Sequence, residues 1–243
     1  MRYRGQLIAP INKRNQGKVR NLRRGMVLKI LIINPNTSVE MSRIIDSVAK
    51  KYASPGTEIT TVNPPDGPEF IANAYHAALQ APKVIGLVEK NKSNYDHFII
   101  ACGADPGLEA CRIVTKNVIG IGEAAIMTAC AVAKRFSFLI VTKGGEPSVL
   151  ERLRCLGIDQ SRCASVKVVG SGLNDEIVRK RKEMLDVYCQ VGLKCIEEDG
   201  AGALILVCAG MSDLKEYLEE RLQVPVIIGV VSAIKIVEQL PIW

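Results

Sequence analysis

Aromatic residues are scarce in this chain, and long hydrophobic runs are missing. Phe, Trp and Tyr make up 5% of the 243 residues, which argues against an aromatic platform for stacking single-stranded nucleic acid. No stretch reaches the roughly 18 apolar residues of a transmembrane helix. Only two histidines and no CxxC pair are present, whereas zinc ligands normally come in close pairs. We therefore expect no nucleic-acid partner, no membrane partner and no metal.

Glycine patterns of nucleotide-binding enzymes are also missing. The segment Lys143-Gly144-Gly145 lacks the GxxxxGK[ST] spacing of a phosphate-binding loop. The pair Gly120-x-Gly122 lacks the third glycine of a dinucleotide fingerprint. Together with the missing metal pattern, this favours a protein that works without a cofactor.

The net charge of +7 is concentrated at one end of the chain. Residues 1–25 hold eight Lys or Arg and no Asp or Glu, which leaves the remainder at −1. This composition predicts a basic, disordered extension, and its apolar run is too short for a signal peptide. Eight cysteines without a secretory signal indicate a reducing cytosol, so we expect a cytoplasmic protein.

Eight short runs rich in Ile, Val and Leu follow Met26, as is typical of strands buried on both faces. Amphipathic helical patterns separate these runs, so the βαβα order predicts parallel sheets with right-handed crossovers. The runs are VLKILII (27–33), EITTV (58–62), HFIIAC (97–102), NVIGI (117–121), FSFLIV (136–141), ASVKVV (164–169), ALILVC (203–208) and VPVIIGV (224–230).

The chain also repeats itself, since FIIACGADPGLEA…VIGIGEAAI aligns with LILVCAGMSDLKE…VIIGVVSAI. The repeat predicts an α/β fold of two pseudo-symmetric domains, each a four-stranded parallel sheet flanked by helices. We expect residues 26–121 plus 230–243 to form the first domain and residues 122–229 the second. The active site is expected in the cleft between them.

Cys102 and Cys208 occupy matching places in this repeat, each as the last residue of its predicted strand. Ligands of open parallel sheets bind at that edge, so the pseudo-twofold would bring the two thiols face to face. Small residues let a ligand approach the backbone and offer N–H groups to a developing oxyanion. Those predicted to bind substrate here are Gly103, Ala104, Ala209 and Gly210.

Helix starts are predicted directly after both cysteines. Asp105-Pro106 is typical of an N-cap followed by proline, and Ser212-Asp213 supplies a second cap. A helix N-terminus lowers the pKa of a nearby thiol, so we expect Cys102 and Cys208 to exchange protons near neutral pH. A single buried cysteine is more often a small hydrophobic residue, and the six other cysteines are interpreted in that way.

The turn after the first predicted strand, Asn34-Pro35-Asn36-Thr37-Ser38, lies at the same sheet edge. Asn36 can donate and accept hydrogen bonds, which suits a ligand with amide-like groups. Thr37-x-x-Glu40 is interpreted as a capping box, and Thr37 either caps only or also binds substrate. Thr142, at the end of the fifth predicted strand, is the counterpart in the second half.

These motifs resemble the aspartate/glutamate/hydantoin racemase superfamily, and within it the hydantoin and allantoin racemase branch. The similarity runs from about Lys29 to the C-terminus, through KILIINPNTS, Gly67-Pro68, FIIACGADPGLEACR, VIGIGEAA and ALILVCAGM. The resemblance implies two pseudo-symmetric α/β domains, with Cys102 and Cys208 as catalytic residues between them. It also implies substrate held near Asn36 and by the backbone after each cysteine, and a homo-oligomer.

The residues after the cysteines favour one branch of that superfamily. Amino-acid racemases typically have Asn-Thr or Thr-His there, whereas Gly103-Ala104 and Ala209-Gly210 cannot hold a zwitterion through side chains. A neutral cyclic ureide needs fewer charged partners. Departures from the family pattern at Ile228, at Thr142 and after Pro68 leave the exact substrate open.

The sequence thus predicts an isomerase, a cofactor-independent two-thiol racemase of a small molecule, either a 5-monosubstituted hydantoin or a ureide such as allantoin. Three alternatives stay open at this point. The chain could racemise aspartate or glutamate, or it could be a related isomerase or decarboxylase that uses a cysteine as nucleophile. A two-lobed sensor that binds ureides without chemistry is the third, although a sensor has no need of matched cysteines.

Overall fold

The computed structural model describes residues 27–169 and 181–242. The predicted basic extension, residues 1–25, lies outside the described residues. The strands are β1 Leu28–Ile33, β2 Thr57–Val62, β3 His97–Ile100, β4 Val118–Gly120, β5 Phe136–Ile140, β6 Cys163–Val168, β7 Leu204–Leu206 and β8 Val226–Ile228. The helices are α1 Val39–Tyr52, α2 Ala74–Asn91, α3 Leu108–Val114, α4 Ile121–Val132, α5 Glu146–Cys155, α6 Arg181–Glu197, α7 Lys215–Leu222 and α8 Gly229–Val237. None of these described helices is long and apolar enough to cross a membrane.

The strands form two four-stranded sheets with the same topology. The first has the order β2-β1-β3-β4 and the second the order β6-β5-β7-β8, and every recorded pairing is parallel. The predicted α/β fold of two parallel sheets flanked by helices is confirmed. The shared topology places matching strands at matching sites, with β3 next to β1 and β7 next to β5.

Burial on both faces explains the composition of the central strands. All four residues of β3 are buried, as are all five of β5, and neither strand has a polar face. The edge strands β2 and β6 differ, since neither has a fully buried residue. The continuous β-branched runs of the sequence are therefore those of strands covered on both sides by helices.

Both sheets contribute to one hydrophobic core. A single cluster of buried residues joins Ile32 and Ile99 of the first sheet to Leu139 and Leu206 of the second. A second cluster packs α4 against Phe136 of β5. The shared cluster fixes how the carboxyl ends of the two sheets meet.

One helix follows the last strand of each sheet, and each of these two helices packs against the other sheet. Helix α4 follows β4 but contacts β7 and β8 of the second sheet, whereas α8 follows β8 and contacts α1, β3 and β4. The helices begin against each other, since a Cβ at Gly229 would lie 2.5 Å from the carbonyl oxygen of Ile121. Beyond α8, Glu238 accepts hydrogen bonds from the N–H and hydroxyl of Ser54 and the hydroxyl of Thr57.

The prediction that Cys102 and Cys208 end their strands is wrong by two residues at each site. Strand β3 ends at Ile100 and β7 at Leu206. One further backbone hydrogen bond follows each strand. The Ala101 N–H donates to the Ile33 carbonyl, and the Val207 N–H donates to the Leu139 carbonyl. The chain then turns, so both cysteines lie in the turns beyond the sheet edge.

Candidate active site

Each cysteine sits in a short turn closed by a backbone hydrogen bond. The N–H of Asp105 donates to the carbonyl of Cys102 at 2.9 Å, and the N–H of Met211 donates to that of Cys208 at 3.0 Å. Because these turns follow equivalent strands of two sheets with one topology, they occupy equivalent positions. Two turns with the same local hydrogen bond thus present one thiol each.

The two cysteine turns pack directly against each other. A Cβ at Gly103 would lie 2.3 Å from Cγ1 of Val207 and 2.9 Å from its carbonyl oxygen. Only a residue without a side chain allows the Cys102 turn to approach the Cys208 turn this closely. Glycine at position 103 is therefore required by the contact between the two halves of the site.

A cavity lies where the turns meet, and both cysteines line it. Of the residues singled out from the sequence, Asn36, Cys102, Gly103, Ala104, Thr142, Cys208 and Ala209 lie on its wall. The wall also contains Met41, Phe70, Ile71, Ala72, Asn73, Ala101, Ile140, Val141, Gly145, Ser148, Val149 and Val207. None of these described lining residues has a charged side chain. The cavity therefore offers hydrogen bonds, thiols and apolar surface, but no counter-ion.

Asn36 contributes an amide to this wall from the turn after β1. The residue is buried, and its Oδ1 accepts from Asn34 Nδ2 at 2.9 Å and from the Ser38 N–H at 3.0 Å. Its Nδ2 lies 3.2 Å from the thioether of Met41, a weak acceptor. The amide is thus held rigidly by its oxygen, while its donor retains capacity for a stronger acceptor.

Thr37 and Gly210 are not among the residues that line the cavity. The predicted capping box at Thr37 is also wrong, because α1 begins at Val39 and is capped by Ser38. The Ser38 hydroxyl accepts from the N–H of Met41, and the N–H of Thr37 instead donates to the carbonyl of Pro68. Thr37 and Ser38 each carry a hydroxyl that could cap a helix, and the turn geometry selects Ser38.

The predicted N-cap at Asp105 is wrong in a way that matters for the site. Helix α3 begins only at Leu108, because Gly107 at φ +77° continues the turn. The buried Asp105 carboxylate instead accepts from the N–H of Gly122 at 2.8 Å and of Glu123 at 2.9 Å. Asp105 therefore caps α4 from a distance, and its own φ of 46° is left-handed.

The predicted cap at Ser212-Asp213 is wrong as well. Ala209–Leu214 forms a 3-10 helix, in which the Ser212 hydroxyl donates to the carbonyl of Ala209 at 2.6 Å. Helix α7 begins at Lys215 without a side-chain cap. Cys208 itself occupies the N-cap position of the 3-10 helix.

Burial dominates the ionisation of both thiols. It raises the pKa of Cys102 to about 12 and the pKa of Cys208 to about 11. The backbone N–H of Ala104 favours the Cys102 thiolate, and those of Gly210 and Met211 favour the Cys208 thiolate, but these effects are smaller. The prediction that helix N-termini hold both pKa values near neutrality is wrong, because desolvation outweighs the nearby N–H groups.

Arg152 joins the two halves beside Cys102. It projects from α5, its Nε lies 3.4 Å from Oδ2 of Asp105, and its Nη2 donates to the Ala104 carbonyl at 3.0 Å. Burial raises the pKa of Asp105 to about 7, although the Arg152 cation and the hydrogen bonds from the start of α4 act in the opposite direction. Nearby, buried Glu123 pairs with Arg112.

Sequence reasoning missed the wall formed by residues 70–73. This segment precedes α2 and is tied to its first turn, because Nδ1 of His76 lies 3.3 Å from the N–H of Ala72 and 3.2 Å from the Phe70 carbonyl. Met41 and Ser148 were missed too. They lie in the first turns of helices that follow β1 and β5, so the rule that placed the cysteines at the sheet edge could have found them.

Within residues 27–169 and 181–242, no cluster of metal ligands accompanies the cavity. No group of three or more His, Cys, Asp and Glu side chains in that part of the chain could hold a metal ion. The eight cysteines are all free thiols. The polar side chains that line the cavity are two thiols, two amides and two hydroxyls, those of Cys102, Cys208, Asn36, Asn73, Thr142 and Ser148.

Comparisons with known proteins agree in family and fold. A family model described as Asp/Glu/Hydantoin racemase matches residues 30–237. Hydantoin racemase from Pseudomonas sp. (strain NS671) is 37% identical over 213 residues, which are 87% of this chain and 85% of that protein. Allantoin racemase from Klebsiella pneumoniae has a TM-score of 0.83 at 34% identity, covering 88% of this chain and 87% of that one. An arylmalonate decarboxylase shares the fold, with a TM-score of 0.60 at 13% identity over 87% of this chain and 92% of that one.

Proposed function

This chain belongs to the Asp/Glu/hydantoin racemase family of isomerases, and we propose that it racemises a cyclic ureide without a cofactor. The substrate we propose is a 5-monosubstituted hydantoin or a relative such as allantoin. The relatives described as hydantoin and allantoin racemases support this assignment. Cys102 and Cys208 are the proposed acid and base.

One observation carries the proposal. Two thiols line the same cavity, and no charged side chain lines it with them. Aspartate or glutamate would bring two carboxylates and an ammonium group into the cavity. Without counter-ions these charges would lose their hydration at a cost of several kcal/mol each. A neutral ureide avoids that cost, so the charge-free wall favours it over an amino acid.

The proposed reaction transfers one proton on each face of the carbon C5. The thiolate of one cysteine takes the C5 proton, so the C–H bond breaks and an S–H bond forms. The electron pair delocalises into the adjacent carbonyl as an enolate. The thiol of the other cysteine then gives its proton to the opposite face of C5, which regenerates a thiolate and completes the inversion.

Nearby donors would stabilise the charges that this reaction creates. The N–H of Ala104 faces the Cys102 sulfur, and those of Gly210 and Met211 face the Cys208 sulfur. The Asn36 amide donor, held in place by its oxygen, is suited to a ureide carbonyl. Donors of this kind stabilise developing anions because they already point at the place where the negative charge forms.

The decisive experiment is proton NMR in D2O, combined with optical rotation, on single enantiomers of a 5-monosubstituted hydantoin, allantoin, aspartate and glutamate. We expect C5–H of a ureide to exchange with solvent while the rotation decays to zero. Cys102→Ser and Cys208→Ser should each abolish racemisation, whereas the exposed control Cys155→Ser should retain it. Wild-type turnover in either cysteine variant of the cavity would refute the two-base mechanism.

Other outcomes of this experiment would favour the alternatives. If only the α-proton of aspartate or glutamate exchanges with solvent, the two-thiol mechanism stands and the substrate is an amino acid. A trapped covalent adduct on one cysteine would indicate the isomerase or decarboxylase chemistry, since a two-base racemase forms none. Binding of a ureide without exchange would indicate a sensor.

Three further predictions accompany the proposed function. We propose that residues 26–121 plus 230–243 and residues 122–229 form the two domains that enclose the site. We also propose that the protein is a homo-oligomer and works in the cytosol. Light scattering of the purified protein tests the oligomeric state, and a monomer mass would contradict it.

A further inference from the structure

We propose that Arg152 is a positioning residue for the racemisation, whose guanidinium holds the turn that carries Cys102 at two points and so fixes where that thiol stands. This inference rests on the proposed function and adds to it a residue from outside the cavity. Arg152 is not among the residues that line the cavity, so it acts through Cys102 and not on the substrate. Its loss should therefore slow proton transfer without weakening substrate binding.

A chain of two hydrogen bonds links Arg152 to the backbone of Cys102. Nη2 of Arg152 donates to the Ala104 carbonyl at 3.0 Å. The N–H of the same peptide group, which belongs to Asp105, donates to the Cys102 carbonyl at 2.9 Å and closes the turn. Hydrogen bonds in series polarise one another, and those from a charged donor are the stronger ones. The cation thus strengthens the bond that shapes the turn at Cys102.

The second point of the hold is the carboxylate of Asp105. Nε of Arg152 lies 3.4 Å from Oδ2 of this carboxylate, which also accepts from the N–H groups of Gly122 at 2.8 Å and Glu123 at 2.9 Å. The backbone of Asp105 has a φ of 46°, in the left-handed region that strains a residue with a side chain. Such a conformation persists only where its surroundings fix it. Arg152 and the start of α4 together fix it here.

Burial keeps this hold in place. The Arg152 side chain is 15% exposed, and that of Asp105 is fully buried. Water therefore competes little for either group, and the attraction between their charges is screened less than at the surface. An exposed ion pair would constrain the backbone weakly by comparison.

Arg152 belongs to the same helix as part of the cavity wall. Helix α5 follows β5 of the second sheet, and its residues Ser148 and Val149 line the cavity. Arg152 comes four and three residues after them, so the three side chains share one face of the helix. One rigid element thus carries a wall of the cavity and holds the turn of Cys102, which follows β3 of the first sheet. The distance between that wall and the thiol is set by Arg152.

The turn of Cys208 is held in a different way. The Met211 N–H donates to the Cys208 carbonyl at 3.0 Å. The Ser212 hydroxyl donates to the Ala209 carbonyl at 2.6 Å. Both bonds are local to the 3-10 helix that follows β7, whereas Arg152 reaches its turn from another helix. Loss of Arg152 should therefore loosen one cysteine turn and leave the other in place.

The kinetics of Arg152→Met test this inference in the full-length protein, with 5-benzylhydantoin and allantoin as substrates and polarimetry as the assay. Methionine keeps the length and helix preference of arginine but removes the cation. We expect kcat to fall about hundredfold, the effect of displacing a catalytic group by about 1 Å, while KM stays within about threefold. A folded Arg152→Met protein with wild-type kcat, or with a raised KM and unchanged kcat, would overturn the inference.

Arg154→Met is the matched control. Arg154 lies on the same helix, but its side chain is 72% exposed and pairs with Glu151 on the surface. Surface pairs of this kind contribute little, so this variant should keep the wild-type kcat and KM. An equal fall of kcat in Arg154→Met would show that any lost charge on α5 has this effect, which would also overturn the inference.

Hydrogen–deuterium exchange, read by peptide mass spectrometry, tests the hold without any substrate. The amide of Asp105 is protected by its bond to the Cys102 carbonyl, and Arg152 reinforces that bond. In Arg152→Met we expect the amides of residues 103–105 to exchange about tenfold faster, because a bond from a charged donor is lost. Those of residues 209–212 should keep the wild-type rate. Unchanged exchange at 103–105, or equal acceleration at both turns, would contradict a specific hold on Cys102.

Failure of this inference and failure of the proposed function give different results. If the wild-type protein racemises neither ureide, but Arg152→Met accelerates exchange in the Cys102 turn alone, the hold by Arg152 stands and the proposed substrate is wrong. If a ureide is racemised, and Arg152→Met changes neither kcat nor exchange in that turn, the racemase stands and the role of Arg152 is refuted.

Arg152→Lys decides the question should Arg152→Met fail to fold. Lysine keeps a cation beside Asp105, but its ammonium lacks the planar fork that spans two acceptors. We expect kcat in this variant to stay at least about tenfold below the wild-type value at a similar KM. A wild-type kcat in Arg152→Lys would refute the two-point hold.

Discussion

Replacing Gly103 with alanine would test whether the contact between the two cysteine turns is essential. The added Cβ would lie 2.3 Å from Cγ1 of Val207 and 2.9 Å from its carbonyl oxygen. The side chain could rotate away, but the carbonyl belongs to the backbone next to Cys208, so that turn must move. Overpacking of this kind costs about 1–3 kcal/mol, and each kcal/mol lowers the Tm of a chain this size by roughly 2–4 °C.

The effect on activity should exceed the effect on stability. A displacement of about 1 Å in a catalytic group lowers the rate by roughly a hundredfold, so Gly103→Ala should lose about that factor in kcat/KM. Calorimetry measures the Tm, and the decay of optical rotation measures racemisation. Gly86→Ala is the control, because nothing lies within 4 Å of a Cβ there and removing a helical glycine stabilises by about 0.5–1 kcal/mol. A Gly103→Ala protein with wild-type Tm and activity would refute the reasoning.

Two further predictions concern ionisation and capping. Because burial raises the pKa of Cys208 to about 11 and that of Cys102 to about 12, the thiolate fraction and with it kcat/KM should rise about tenfold per pH unit from pH 7 to 9. Polarimetry with an enzyme-free blank measures this, and a plateau below pH 8 would contradict it. Ser38→Ala should lower the free energy of unfolding in urea by about 1 kcal/mol, whereas Thr37→Ala should change it by less than about 0.5 kcal/mol. Equal losses would contradict the capping by Ser38.

The fold could be predicted because its determinants are local in sequence. Continuous β-branched runs mark strands buried on both faces, and the internal repeat shows that four strands belong to each half. The same repeat places Cys102 and Cys208 at matching positions in the two halves. Both cysteines do line one cavity, although each lies two residues beyond the end of its strand and not at that end.

The caps and ionisation of the site could not be predicted, because they depend on contacts between distant residues. Asp105 caps a helix 17 residues away, and Arg152 reaches the Ala104 carbonyl across 48 residues. A sequence motif shows that a carboxylate is present but not which N–H groups it meets. The burial that raises the thiol pKa values likewise arises from both halves together, and no local pattern encodes it.

The exchange of α4 and α8 between the sheets has a consequence for how the chain is made. The first sheet is complete by Gly120, yet one of the helices that cover it, α8, is synthesised more than a hundred residues later. Until then, the apolar surface of Ile99 and Ile119 that α8 covers stays open on the ribosome. The hydrogen bonds that Ser54 and Thr57 donate to Glu238 can form only after Glu238 has been synthesised. Folding of the amino-terminal half is therefore completed by the carboxyl-terminal end of the chain, so truncation before α8 should damage the first sheet more than the second.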